Sequence, residues 1–266
     1  CTLCSNVTIQ VGSSLEVHGT KSNPSTPSTI SGGDATRHFV VYGELILVDV
    51  VLQYGFSDKD GGSILVDGSS GNTASVELIR SAIVDCEAYM NGGAISAYGQ
   101  GAVVYLRDGT RFERNLAKSH GGALHIVQGA SVSAHSQSAV SVASLYSIRG
   151  NDNFADASGG FLYLHGEGTN FSVRGQKTNI QLNDNGAGAG GAIAGLKGAY
   201  MLIENGSRLL AEDNIASSMG GAVIMTDEGT RLEVRDADTT VDLIGNLVCN
   251  GMGGAAGFFE GAQFLY

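Results

Sequence analysis

Gly220-Gly221-Ala222-Val223-Ile224-Met225-Thr226-Asp227-Glu228-Gly229-Thr230-Arg231-Leu232-Glu233-Val234-Arg235 is the stretch whose reading decides the fold. After the glycine pair, Val223 and Met225 fall on one face at the two-residue period of a β-strand. Asp227-Glu228-Gly229 supplies a turn. Leu232 and Val234 then alternate with Arg231, Glu233 and Arg235, which puts apolar side chains inward and charges outward. A third short segment leads to Asn246 and the next glycine pair.

The same rhythm recurs along the chain. Glycine pairs begin at Gly61, Gly92, Gly121, Gly159, Gly190, Gly220 and Gly253, separated by 31, 29, 38, 31, 30 and 33 residues. Apolar positions follow most pairs in phase: Ile64/Val66, Ile95/Ala97, Leu124/Ile126, Leu162/Leu164, Val223/Met225. A second set follows a later glycine, in Val76/Leu78, Val104/Leu106, Val132/Ala134, Phe171/Val173 and Met201/Ile203. A period near thirty means one unit stacked many times. Each unit holds two or three short strands, and no segment keeps helical spacing. The predicted fold is all-β, a right-handed single-stranded parallel β-helix of about eight or nine rungs ~4.8 Å apart. Ile95, Leu124, Leu162, Ile193 and Val223 share one phase and are predicted to form one buried stack. Residues 31–266 carry the repeats. Residues 1–30 read as an N-terminal segment or cap containing an exposed Ser/Thr/Pro loop, Lys21–Thr29, suited to O-glycans.

Two repeated marks have a structural reading. A turn entering a strand needs positive φ or a close backbone approach, and glycine meets both demands. Six residues before the pair stand Cys86, Asn115, Asn153 and Asn214, with Asn185 and Asn246 shifted by one. Side chains at one angular position stack in a solenoid, so these asparagines are predicted to form a ladder bonded to the backbone and to each other.

Composition narrows the function. The 266 residues include 40 glycines and two prolines, which argues for many tight turns in a folded chain. Charged residues are few at 15%, and the net charge of −11 repels nucleic acid. No apolar run has the ~18 residues of a transmembrane span. Starting at Cys1 and reaching Tyr266 within a repeat, the sequence reads as a processed chain or part of a longer one. Three glycosylation sequons stand at Asn6, Asn170 and Asn205 and point to an extracellular or cell-surface location. Cys1 and Cys4 are candidates for a disulfide, within the chain or to residues beyond it.

Phe112-Glu113-Arg114-Asn115 followed by Gly121-Gly122-Ala123-Leu124 resembles the chlamydial polymorphic membrane protein repeat, whose marks are FxxN and GGA with Ile, Leu or Val. GGA with an apolar residue recurs from Gly92, Gly190 and Gly220, and similar repeats occur in secreted algal and protist proteins. The resemblance covers residues 30 to 266. It implies a surface or extracellular passenger used in adhesion or assembly.

Enzymatic chemistry is the competing expectation, because β-helices also carry polysaccharide-cleaving sites. Glycoside hydrolysis needs two carboxylates at a defined separation. Here Asp58, Asp60, Asp85, Asp108, Asp152, Asp184 and Asp213 are scattered and read as turn residues. His120 and His125 lack metal-site spacing. Asp58-Lys59-Asp60-Gly61 starts like a calcium loop without the required Glu. No catalytic residue, metal site or cofactor is therefore assigned, with calcium between turns left open. The expected function is a non-catalytic extracellular structural or adhesive module, partnered by itself or by extracellular proteins and glycans. A polysaccharide lyase or hydrolase with an unrecognised site is the alternative.

Overall fold

The computed structural model describes residues 1–20, 27–69, 71–136, 147–176 and 178–266. Among these, short strands stack into four parallel sheets of nine, nine, eight and seven strands, with no helix. Each strand pairs with its counterparts one coil before and one coil after, so the chain is a parallel β-solenoid of about eight turns. One coil shows the plan. Ile95–Tyr98 lies in the first sheet, Ala102–Arg107 in the second, Arg111–Glu113 in the third and Leu116–Ala117 in the fourth.

The fourth strand exceeds the two or three that the sequence predicted. In several coils it has only two residues, as in Phe56–Ser57 and Glu87–Ala88, too few for alternation to register. Val7–Ile9, Ser14–His18 and Ser28–Ser31 already occupy places in three of the sheets, so the N-terminal segment contributes the first coil. Most of the Lys21–Thr29 stretch, residues 21–26, lies outside the described residues, as do residues 137–146 of the 38-residue repeat.

The interior follows the predicted phase. Ile64, Ile95, Leu124, Leu162, Ile193 and Val223 are successive register partners in the first sheet, each fully buried. Val76, Val104, Val132, Phe171 and Met201 form the matching stack in the second. The departures compensate each other. Gly150 takes an apolar slot between Phe112 and Leu182, and Phe161 takes the slot filled by alanine in its neighbours. A Cβ at Gly150 would collide with the Phe161 ring, so the large residue fills the volume the small one vacates. Gly195 and Met225 make the same exchange, for a Cβ there would meet the thioether.

Both expected roles of the glycine pairs are present. The first glycine has positive φ, from 60° at Gly220 to 92° at Gly253. At the second, a Cβ on Gly62, Gly93, Gly122, Gly160 or Gly191 would collide with the carbonyl oxygen of the second glycine one coil on.

The asparagine ladder is continuous. Nδ2 of Asn115, Asn153, Asn185 and Asn214 each donates to Oδ1 of the next member at 2.8–3.0 Å. The same Nδ2 atoms also donate to the carbonyls of Ile83, Phe112, Gly150 and Leu182 in the preceding coil. Each Oδ1 accepts a second bond, from the backbone N–H of the previous member. Cys86 ends the ladder: its N–H donates to Asn115 Oδ1, and its Sγ accepts from Gly55 N–H at 3.3 Å.

This corner also holds a strained residue. The position before each ladder member is left-handed: Asp85, Arg114, Asp152, Asp184 and Asp213 have φ of 53–56°. Aspartate tolerates this region better than most residues, which explains why so many acidic residues fall in these turns. The adjacent corner, where the second sheet leads into the third, carries another polar stack, Ser81, Thr110, Thr178, Ser207 and Thr239, all buried. The hydroxyls of Ser81, Thr110 and Ser207 donate to the Leu47, Leu78 and Val173 carbonyls of the preceding coil, and that of Thr178 donates to Arg174 O in its own.

Replacing Asn185 with Ala strands the N–H and one Nδ2 hydrogen of Asn153 in the core, along with the Gly150 carbonyl. At ~1–3 kcal/mol per unsatisfied buried group, Asn185→Ala is expected to lower stability by about 3–5 kcal/mol. Asn246 is only half-buried at the last coil, and Asn246→Ala is expected to cost under ~2 kcal/mol. Urea unfolding midpoints of the two variants check this; equal losses would mean that the ladder bonds are not what holds the corner.

Candidate functional site

The outward face of the first sheet forms the floor of a groove. Its outward positions run Leu65, Ser96, His125, Tyr163, Ala194 and Ile224 along the solenoid axis. A strand open to water on one face exposes such positions, yet Ser96, His125 and Tyr163 are 1%, 8% and 6% exposed. The corner leading from the fourth sheet into the first stands beside them as a wall. There Asp60 Oδ1 accepts from the backbone N–H and Nδ2 of Asn91, and Asn91 Oδ1 accepts from His120 N–H.

The groove changes character along its length. Toward the C-terminus, Tyr163, Ala194 and Ile224 pack with Val127, Ala189, Leu196, Met219 and Phe259 into an apolar strip. Toward the N-terminus it opens into a polar cleft of about 350 Å³, lined by Arg37, Lys59, Asp60, Ser96, Tyr98, His125 and Gln128 among others. Tyr163 stands at the junction. His120 stacks on its ring at 4.3 Å between centroids, His125 at 5.6 Å and His165 at 6.0 Å.

Burial sets the electrostatics. His125 Nδ1 shares a 3.0 Å hydrogen bond with Ser96 Oγ. Desolvation, helped by the charges of His120 and His165, pushes the His125 pKa down to about 3. Burial, then the charge of His165, also lowers His120, whose buried Nδ1 has no hydrogen-bond partner. Both rings are therefore neutral near pH 7 and can donate and accept. Arg37 donates to Ser57 Oγ, and that hydroxyl also accepts from Lys59 N–H. Tyr98 donates to Asp67 at 2.8 Å; burial and that carboxylate raise its pKa.

The residues singled out in the sequence are dispersed. Asn6 and Asn205 are exposed, Asn205 on a left-handed turn with φ 60°, and Asn170 is half-buried. Ser172, which alternates with the inward Phe171 and Val173, is only 9% exposed, in register between Ser133 and Leu202. Of the two expected pairings, the one within the chain is corrected: Cys1 and Cys4 are exposed free thiols, and so is Cys249. Ser31 N–H donates to Cys1 O and Leu3 N–H to Ser31 O, which holds this segment extended. Three residues of extended chain put the two Cα atoms ~10 Å apart, beyond the ~7 Å a disulfide spans. Among the described residues, no three His, Cys, Asp or Glu side chains converge as a metal ion requires, and no helix is long and apolar enough to cross a membrane. Asp60 of the calcium-like stretch is bonded to Asn91 instead.

The cleft itself was not apparent in the sequence. Its members come from four coils and share no motif. The available signal was the outward position one residue after the first buried residue in each first-sheet strand, where Ser96, His125 and Tyr163 stand in succession.

Comparisons with protein-family models, with curated proteins and with solved structures returned no match.

Two buried histidines make stability depend on pH. His38 is fully buried, with Nδ1 on Ser63 Oγ and Nε2 near the Ile30 and Gln53 carbonyls, and its pKa is pushed down by burial to about 4. Folded pKa values below the unfolded ~6.5 mean that the unfolded chain takes up protons first as pH falls. Stability is thus expected to decline from about pH 6.5 downward, by up to ~1.4 kcal/mol per pH unit for each ring. The loss runs to about pH 4 for His38 and about pH 3 for His125. Urea midpoints between pH 7 and 5 measure the slope, which His38→Gln and His125→Gln should each flatten; an unchanged slope in both would assign it elsewhere.

Proposed function

We propose that this chain is a non-catalytic structural and adhesive module of the extracellular space, which assembles side by side with further copies of itself. One observation carries the reading. The outward positions of the fourth sheet place Leu116, Phe154, Gly186, Ile215 and Leu247 in one register column. Phe154, Ile215 and Leu247 are 46%, 48% and 54% exposed. A run of in-register apolar side chains on a flat sheet face marks an interaction surface. A second copy has the same rise per coil, so contacts matched at one rung stay matched at the next. Exposed Tyr89, edge-on to Phe56 at 5.6 Å, extends the apolar surface toward the N-terminus.

The extracellular part of the reading draws on the three sequons, on the sparsely charged surface and on the likeness to chlamydial polymorphic membrane protein repeats. The alternative of a polysaccharide-active enzyme draws on the cleft, where Ser96, His125 and Asp60 lie together.

Assembly is opposed by a net charge of −11 on each copy, which salt screens over a Debye length of ~8–10 Å. The weight-average mass in sedimentation should therefore rise with protein concentration and with added salt. Phe154→Thr combined with Ile215→Thr should hold the chain monomeric with little change in thermal stability. Undiminished association of that variant would overturn the lateral-face reading.

The location has its own measurement. Intact-mass and glycopeptide analysis of protein from its native source should find N-glycans on at least two of Asn6, Asn170 and Asn205. Three unmodified asparagines would remove the support the sequons give to an extracellular glycoprotein.

A further inference from the structure

We infer that the polar half of the groove is a binding site for an acidic sugar, one or two anionic pyranose units of a polysaccharide. The inference stands on the cleft alone and does not rest on lateral assembly. Its first support is charge. In this acidic chain the arginines are largely committed to carboxylates: Arg80 to Asp49, Arg107 to Glu77, Arg114 to Asp85, Arg174 to Glu204 and Arg208 to Asp242. Arg37 and Lys59 both line the cleft, and among the described residues neither forms an ion pair with a carboxylate. Burial lowers the Arg37 pKa and the nearby charges of Asp58 and Asp60 offset part of this, yet Arg37 pairs with neither, and two cations without a paired carboxylate in one concavity favour an anion there.

The second support is the polar array opposite them. Ser96 and His125 are buried in the floor and fix each other through Oγ and Nδ1, which leaves His125 Nε2 without a hydrogen bond among the described residues. Asp60 has one oxygen bound to Asn91 and the other without a hydrogen bond among the described residues. The Gln128 amide stands at the rim. A neutral imidazole, a carboxylate oxygen and an amide are donors and acceptors suited to sugar hydroxyls, while the cations suit a carboxylate or sulfate on the same ring. The cleft, at about 350 Å³, sits at the small end of ligand sites. It is open along the groove, which lets a polymer chain pass. Arg37 is also positioned beforehand: Ser57 Oγ accepts from its guanidinium, and the same hydroxyl accepts from the backbone N–H of Lys59 and donates to Asp60 O. That network lowers the ordering cost of binding.

Calorimetric titration of the full chain with a galacturonate trisaccharide, its methyl ester and a sulfated galactose trisaccharide tests the site. Saturable binding of at least one anionic probe is expected, with the neutral ester ~10-fold or more weaker. Lys59→Gln removes an exposed charge without touching the core and should weaken the anionic probe ~10-fold; Arg37→Gln should do the same, with folding checked by circular dichroism. Uronate binding without sulfate binding, or the reverse, identifies the source of the anion. Equal binding of the ester, no change in Lys59→Gln and Arg37→Gln, or no binding of any probe at millimolar concentration would each overturn the proposal. Products released during titration would count against the non-catalytic reading and leave the site standing.

Discussion

The structure depends on one close approach: from Gly62 to Gly221, the second glycine of each pair lies so near the carbonyl of its counterpart one coil on that no Cβ fits between them. This contact repeats at a fixed angular position and sets the phase of everything else. Once Gly62, Gly93, Gly122, Gly160 and Gly191 are stacked, the residues after them must enter the first sheet in register. The buried stack from Ile64 to Val223 follows from that constraint and from strand alternation. Roughly thirty residues complete the circuit because four strands and their corners take that much chain.

Stacking turns local choices into shared ones. An asparagine alone at a corner would satisfy one turn. Five in a column satisfy each other, and the bonds they make offset the left-handed residues beside them. The same logic permits exchange of volume between columns. Phe161 intrudes where its neighbours have alanine because Gly150 has withdrawn. The interior thus conserves filled space more strictly than residue type at any one slot.

This is why the interior was legible in the sequence and the groove was not. Glycine pairs, strand alternation and the asparagine column are periodic, and period is visible along a single chain. The fourth strand escaped because two residues cannot show alternation. The Ser/Thr column from Ser81 to Thr239 escaped because isolated hydroxyl residues are common in turns and nothing else marks the phase. Cys1 and Cys4 suggested a disulfide by proximity in sequence, but extended backbone separates them in space. The cleft gathers Arg37, Lys59, Ser96 and His125 from four coils; Ser96 and His125 share one repeat position, but their chemistry does not repeat from coil to coil.

The contrast between faces bears on where function resides. Interior departures from the repeat come in compensating pairs, Gly150 with Phe161 and Gly195 with Met225, because close packing penalises an unmatched one. Outward positions carry no such penalty, and a rod of identical coils would present identical side faces. Here they differ: the first sheet grades from the Ser96–His125 cleft to the apolar strip at Ile224, and the fourth presents Phe154, Ile215 and Leu247. Packing does not require Arg37 and Lys59 to stand without carboxylate partners in a chain of net charge −11. Nor does it require three imidazoles to converge on one tyrosine ring. Features that folding does not explain, concentrated in one concavity while arginines elsewhere pair with carboxylates of neighbouring coils, are where a ligand is the simpler physical account.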